Sequence, residues 1–77
     1  MIEIKPGQIY KHYKGDTYKI ITVAKNSENE EETFVVYERL TNIVHKGWRI
    51  WARPLKMFQE DVKVENYKGP RFEYIGE

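Results

Sequence analysis

The chain has no cysteine, a single serine and only two histidines. Without thiols there is neither a disulfide framework nor a thiolate metal site, a composition that suits a reducing compartment and leads us to expect a cytoplasmic protein. Long apolar runs are missing as well. The longest purely aliphatic or Phe stretch, Phe34-Val35-Val36, falls far short of the ~20 residues of a spanning helix and of a signal-peptide core, so no membrane association is expected. Nor does one sign of charge prevail. Thirteen Lys and Arg stand against twelve Asp and Glu, a net charge of +1, which removes the strong overall field on which nonspecific nucleic-acid binding depends. The 77 residues read as one domain, near the lower size at which a hydrophobic core suffices without staples.

What is present is β character. Pro6-Gly7 predicts an opening turn, and Gln8 to Lys14 alternates with Tyr10, His12 and Lys14 on one side and Ile9, Lys11 and Tyr13 on the other. Gly15-Asp16 predicts a two-residue hairpin loop. Thr17 to Lys25, rich in Tyr, Ile, Thr and Val, suits a pleated surface. Asn26 to Glu32, with Glu28, Glu30, Glu31 and Glu32, predicts a solvated loop. Strands are expected again at Thr33 to Leu40 and Val44 to Arg53, with a turn at Thr41-Asn42. Pro54 suits the start of a helical turn near residues 54–59, with Leu55 and Phe58 on one side as a plug for the sheet. Val62 and Val64 then alternate in a short strand, Tyr67 to Pro70 predicts a turn, and Phe72 and Tyr74 lie in a last strand. Five to six short strands with one helical turn predict a small closed barrel of SH3-like type, with an OB-type barrel as the alternative.

Charge is distributed unevenly along this pattern. Glu28, Glu30, Glu31, Glu32 and Glu38 lie within residues 26–38 with no base among them. Residues 39–56 hold Arg39, Lys46, Arg49, Arg53 and Lys56, together with Trp48 and Trp51, and no acid. At strand period Trp48, Ile50 and Ala52 face one way, expected to be core, while Arg49, Trp51 and Arg53 face the other, expected to be a contact surface.

Tyr10-Lys11-His12-Tyr13-Lys14-Gly15 with Tyr18, Ala24 to Glu28, Val36-Tyr37, Trp51-Ala52-Arg53-Pro54-Leu55 with Met57-Phe58, and Pro70-Arg71-Phe72 together resemble the small bacterial proteins grouped as domain of unknown function 1653. The likeness runs from Gly7 to about Ile75, and its densest motifs are His12-Tyr13-Lys14-Gly15 and Trp51-x-Arg53-Pro54. The family pattern usually has histidine where this chain has Asn26. The resemblance implies a stand-alone bacterial domain with an SH3-type barrel and no assigned biochemistry.

The candidate ligand-binding residues are Trp51, Arg53, Arg49, His12, Lys14, Tyr18 and Tyr37. An indole between two guanidinium groups can stack a planar group while the cations hold phosphate or carboxylate, and tyrosines near a hairpin line the peptide grooves of SH3-type barrels. Each has a plain structural reading too: arginine stems cover aromatic rings without any ligand, and tyrosines fill cores with their hydroxyls at the rim. Three functions follow. The first is a noncatalytic module that binds a peptide or protein segment. The second is a nucleic-acid binder in which Lys46, Arg49, Arg53 and Lys56 meet phosphates. The third is a small enzyme with His12 as general base. No catalytic set is expected, since Ser27, His12 and Glu28 have no spacing that defines a triad. His12 and His45 with a glutamate lack the local spacing of a zinc site. No cofactor or metal is expected, and the oligomeric state is left open.

Overall fold

A computed structural model describes residues 3–41 and 49–77. Their strands are β1 (Ile9–His12), β2 (Thr17–Asn26), β3 (Asn29–Arg39), β4 (Ile50–Pro54), β5 (Asp61–Val64), β6 (Tyr67–Pro70) and β7 (Phe72–Gly76), and the one helix, α1 (Leu55–Phe58), is a single turn. The protein is thus mainly β with antiparallel sheets. Five strands form one sheet in the order β4-β3-β2-β1-β7, and β5 and β6 form a separate hairpin. Among the described residues the five-stranded sheet is open, with β4 and β7 at its edges, so the pairing does not close the expected barrel.

Several boundaries differ from the expected ones for local reasons. β1 stops at His12 instead of Lys14, because the Gly15 N–H turns back to the His12 carbonyl at 2.8 Å and the His12 N–H reaches the Asp16 carbonyl at 2.7 Å. Tyr13 to Asp16 is therefore a four-residue loop, and Gly15, at φ +113°, takes a conformation that other residues rarely adopt. The expected acidic loop is mostly strand. β2 and β3 pair as far as Asn26 opposite Asn29, leaving only Ser27 and Glu28 to turn the chain. Asn26 enforces that reversal: its side-chain oxygen accepts the Glu28 N–H and its amide donates to Glu32 Oε1, each at 2.8 Å. Tyr67 to Pro70, expected to turn, is β6. Its Gly69 leaves room for the Tyr67 ring, whose hydroxyl oxygen would lie 2.9 Å from an added Cβ.

One face of the large sheet carries the core. Cross-strand partners share a face, so the pairs Tyr10 with Tyr18 and Tyr74, His12 with Phe72, Ile20 with Tyr37, and Tyr37 with Trp51 place these side chains on the same side. Tyr10, Tyr18, Ile20, Val35, Tyr37, Phe58 and Phe72 are buried there. Pro54 leads β4 into α1, and that turn lowers Phe58 onto the sheet with Leu55 packed beside it. The Phe58 ring stacks on Phe72 with centroids 4.1 Å apart and meets Tyr10 and Tyr37 edge-on. Such aromatic pairs add about 0.5–1.5 kcal/mol beyond simple burial.

The faces of β4 are the reverse of those expected. Trp51 and Arg53 lie opposite the buried Tyr37 and Val35, on the core side, whereas Ile50 and Ala52 are exposed on the other. Alternation divides a strand into two sets without saying which set faces inward, and at a sheet edge the inward set is not necessarily covered. Trp51 accordingly remains 41% exposed despite its inward register. Trp48, His45, Lys46 and Asn42, with the expectations placed on them, lie outside the described residues.

Candidate functional site

The core face ends at a hollow of about 150 Å³ beside β4. Phe72 and the rings of Tyr18 and Tyr37 line it, and His12, Arg39, Trp51 and Arg53 form the rest of its wall. Five of the candidate residues therefore come together: His12 from β1, Tyr18 from β2, Tyr37 from β3, and Trp51 and Arg53 from β4.

The two tyrosines are core residues, not an exposed groove; Tyr18 is 7% and Tyr37 4% exposed. Their rings meet edge-on at 5.2 Å, and their hydroxyls reach the rim and hold the cations. Arg53 Nε donates to the Tyr37 hydroxyl at 3.2 Å. Arg39 Nη2 donates to the Tyr18 hydroxyl at 3.3 Å and lies 3.8 Å from the Asp16 carboxylate. Each guanidinium also lies near an aromatic ring, Arg53 at 5.6 Å from the Phe72 centroid and Arg39 at 5.7 Å from that of Tyr18. Arg39 has a carboxylate nearby. Arg53 has none in ion-pair range among the described residues.

His12 is fixed at the opposite wall. Its Nδ1 accepts the Lys14 backbone N–H at 3.1 Å, so in the neutral ring the proton sits on Nε2. The ring stacks on Tyr13 at 4.6 Å and meets Phe72 edge-on at 4.9 Å. Burial, then the charges of Arg53, Lys14 and Arg71, hold its pKa below the ordinary histidine value, and Asp16 opposes them weakly. The wall is thus a neutral donor near neutrality, facing two cations.

Two candidates fall outside the hollow. Lys14 is in the β1–β2 loop, with its ammonium 5.9 Å from the Tyr13 centroid. Arg49 pairs with Glu38 at 3.2 Å. Lys56, one of the expected phosphate contacts, lines a different depression that also contains Glu31 and Glu32. Conversely, Arg39 and Phe72 line the hollow and were not among the candidates. The period-two series Val35, Tyr37, Arg39 could have pointed to Arg39, because its first two members are the core positions of β3.

The Ser27, His12 and Glu28 set does not come together. Ser27 and Glu28 turn the far end of the β2–β3 ribbon, roughly 30 Å of strand beyond Thr17 at about 3.3 Å per residue, so they form no triad with His12. No group of three or more potential metal ligands occurs among the described residues, where the longest helix is a single turn and none crosses a membrane.

The comparisons with known proteins agree with this architecture. No curated protein matches. Among solved structures the chain is similar to the crystal structure of a DUF1653 protein from Bordetella bronchiseptica, with 36% sequence identity, a TM-score of 0.80, and coverage of 96% of this chain and 90% of that one. The model of a family described as proteins of unknown function, DUF1653, matches residues 8–74. The chain therefore belongs to the DUF1653 family.

Proposed function

We propose that the chain is a single-domain, noncatalytic binding module of the cytoplasm, which takes an extended peptide or protein segment along β4 and admits one of its side chains to the hollow. The observation that carries this reading is the pairing of a 41%-exposed indole, Trp51, with the neighbouring Arg53, a guanidinium that no carboxylate neutralises among the described residues. Edge strand β4 pairs only with β3 among those residues, which leaves its other backbone edge for strand addition. At about 150 Å³ the hollow is well below the roughly 300–1,000 Å³ of drug-sized ligand pockets, and suits one side chain. A small SH3-like barrel is the fold reading that accompanies it, supported by the bulge in β2 between Ile20 and Thr22 and by the single helical turn that delivers Phe58 to the core.

A nucleic-acid role draws less support, because the bases it would recruit are dispersed: Arg49 is engaged by Glu38, and Lys56 lies apart near acids. Titrating the isotope-labelled chain with a degenerate library of extended peptides, and separately with single-stranded oligothymidine, at low and high salt separates the two. We expect peptide-induced shifts at Ile50 to Arg53 that survive high salt. Failure of every peptide to perturb β4 would overturn the reading, and salt-sensitive shifts with the oligonucleotide alone would transfer the site to nucleic acid.

A further inference from the structure

We infer that the hollow is an oxyanion site, in which Arg53 supplies the charge, the Nε2–H of His12 donates a hydrogen bond from the opposite wall, and Trp51 covers the apolar stem that carries the anion. This rests on the binding-module reading of the same hollow and names what its ligand presents: a carboxylate or phosphate group on a short stem.

The wall is rich in donors and poor in acceptors. Arg53 is oriented through Nε by the Tyr37 hydroxyl, which among the described residues leaves its terminal nitrogens for a ligand. Holding the guanidinium in this way reduces the rotamer freedom that a long side chain otherwise loses on binding. Arg39 lines the same hollow, but Asp16 partly neutralises it, so it assists with field more than with a free fork. With Nδ1 occupied by the Lys14 amide, His12 can offer only Nε2, as a donor when neutral. Among the described residues the carboxylate in ion-pair range of these cations is that of Asp16 in the adjoining loop, 3.8 Å from Arg39.

The same geometry makes affinity depend on pH. The charged groups around His12 are Lys14 and Asp16 of the β1–β2 loop, Arg53 of β4, and Arg71 just before β7. Burial first, and then the three cations among these, keep the ring neutral. A bound anion offsets the cations, so binding and protonation of His12 reinforce each other. Affinity for a carboxylate therefore rises as the medium becomes mildly acidic, over the range above about pH 5 in which the carboxylate itself stays ionised.

The test is a solution titration of the full chain, following the backbone amides of β4 and the Trp51 indole N–H, assigned from a Trp51→Phe variant. The probes are N-acetylglutamate amide, its uncharged glutamine analogue, and inorganic phosphate. We expect the glutamate probe and phosphate to shift these signals and the glutamine analogue to leave them unmoved. Arg53→Gln should weaken glutamate binding at least tenfold, since a hydrogen bond between charged groups is of that order. Tyr37→Phe, which keeps the charge but frees it, should fall between the two and covers the case in which the Arg53 variant fails to fold. Glutamate affinity should rise roughly threefold on mild acidification, and His12→Gln should abolish that rise. Preference for phosphate over glutamate would identify a phosphate source, and the reverse a carboxylate source. Equal binding of the glutamate and glutamine probes, or unchanged glutamate affinity in Arg53→Gln, would overturn the inference. If uncharged peptides still bound β4, the binding-module reading would survive that result.

Discussion

Arg53 Nε donates to the hydroxyl of Tyr37 at 3.2 Å, joining a guanidinium at the edge of the sheet to a ring that is only 4% exposed. The charge at the rim is therefore positioned by the core. Packing around Tyr37, which meets Tyr18, Phe58 and Phe72 within 5.5 Å, fixes where Arg53 points.

Tyr37→Phe keeps the ring and deletes that acceptor. We expect a loss of stability of about 0.5–1.5 kcal/mol, the net worth of one hydrogen bond, read from the midpoint of urea unfolding. The Arg53 Nε–H resonance should broaden or shift toward the position of a solvent-exposed guanidinium. An unchanged Nε–H signal would count against the anchoring role.

Phe58 is 1% exposed and touches the rings of Tyr10, Tyr37 and Phe72. Phe58→Ala should cost about 3–5 kcal/mol, a large share of the stability of so small a domain. Loss of the near-ultraviolet dichroism of the packed tyrosines, and a melting transition lowered by tens of degrees or absent, are the expected outcomes. A native-like melting curve would mean that α1 does not close the core.

Trp51 is half in solvent, so Trp51→Ala should change stability by less than about 1 kcal/mol while greatly reducing affinity for the ligand segment. Paired measurement of the unfolding midpoint and of ligand-induced shifts at β4 checks this split. A large stability loss would assign the indole a structural role.

The stability profile should bend at the pH where free histidine titrates. His12 is held below its ordinary pKa of about 6.5 by burial, and then by Arg53, Lys14 and Arg71. Above that ordinary value the ring is neutral in both folded and unfolded chains, and its contribution is complete. As pH falls below it the unfolded chain binds the proton first, so stability declines until the folded-state ring also titrates. Urea midpoints measured between about pH 7 and 5, above most carboxylate titration, should fall in the native chain and stay flatter in His12→Gln. Equal slopes would remove His12 from the account.

Much of the strand content was legible, because Tyr, Ile, Thr and Val cluster where β2 and β3 form, and Pro54 marked the turn that seats Leu55 and Phe58. The hollow was partly legible, since Trp51, Arg53 and His12 were candidates from residue chemistry alone. Their common side was not. Ile50 and Ala52 look more like core than Trp51 and Arg53 do, and only the register of β4 against Tyr37 and Val35 reverses that choice. The extension of β3 back to Asn29 was hidden by its glutamates, which tolerate a strand only because both faces of the projecting ribbon meet solvent there. β6 was hidden by its Gly-Pro pair, acceptable in a two-stranded ribbon whose outer edge needs no further partner.

β1 is hydrogen-bonded on one side to β2, its neighbour in sequence, and on the other to β7, which sets His12 against Phe72 across most of the chain. A ladder between such distant segments carries a high loop-closure cost before its contacts repay it. During synthesis, then, the early hairpin can form as soon as it emerges, but its tyrosine-rich side is covered only in part, by Tyr37 and Phe58, until β7 arrives. The anion-facing hollow, which includes Phe72, exists only after that last zipper closes.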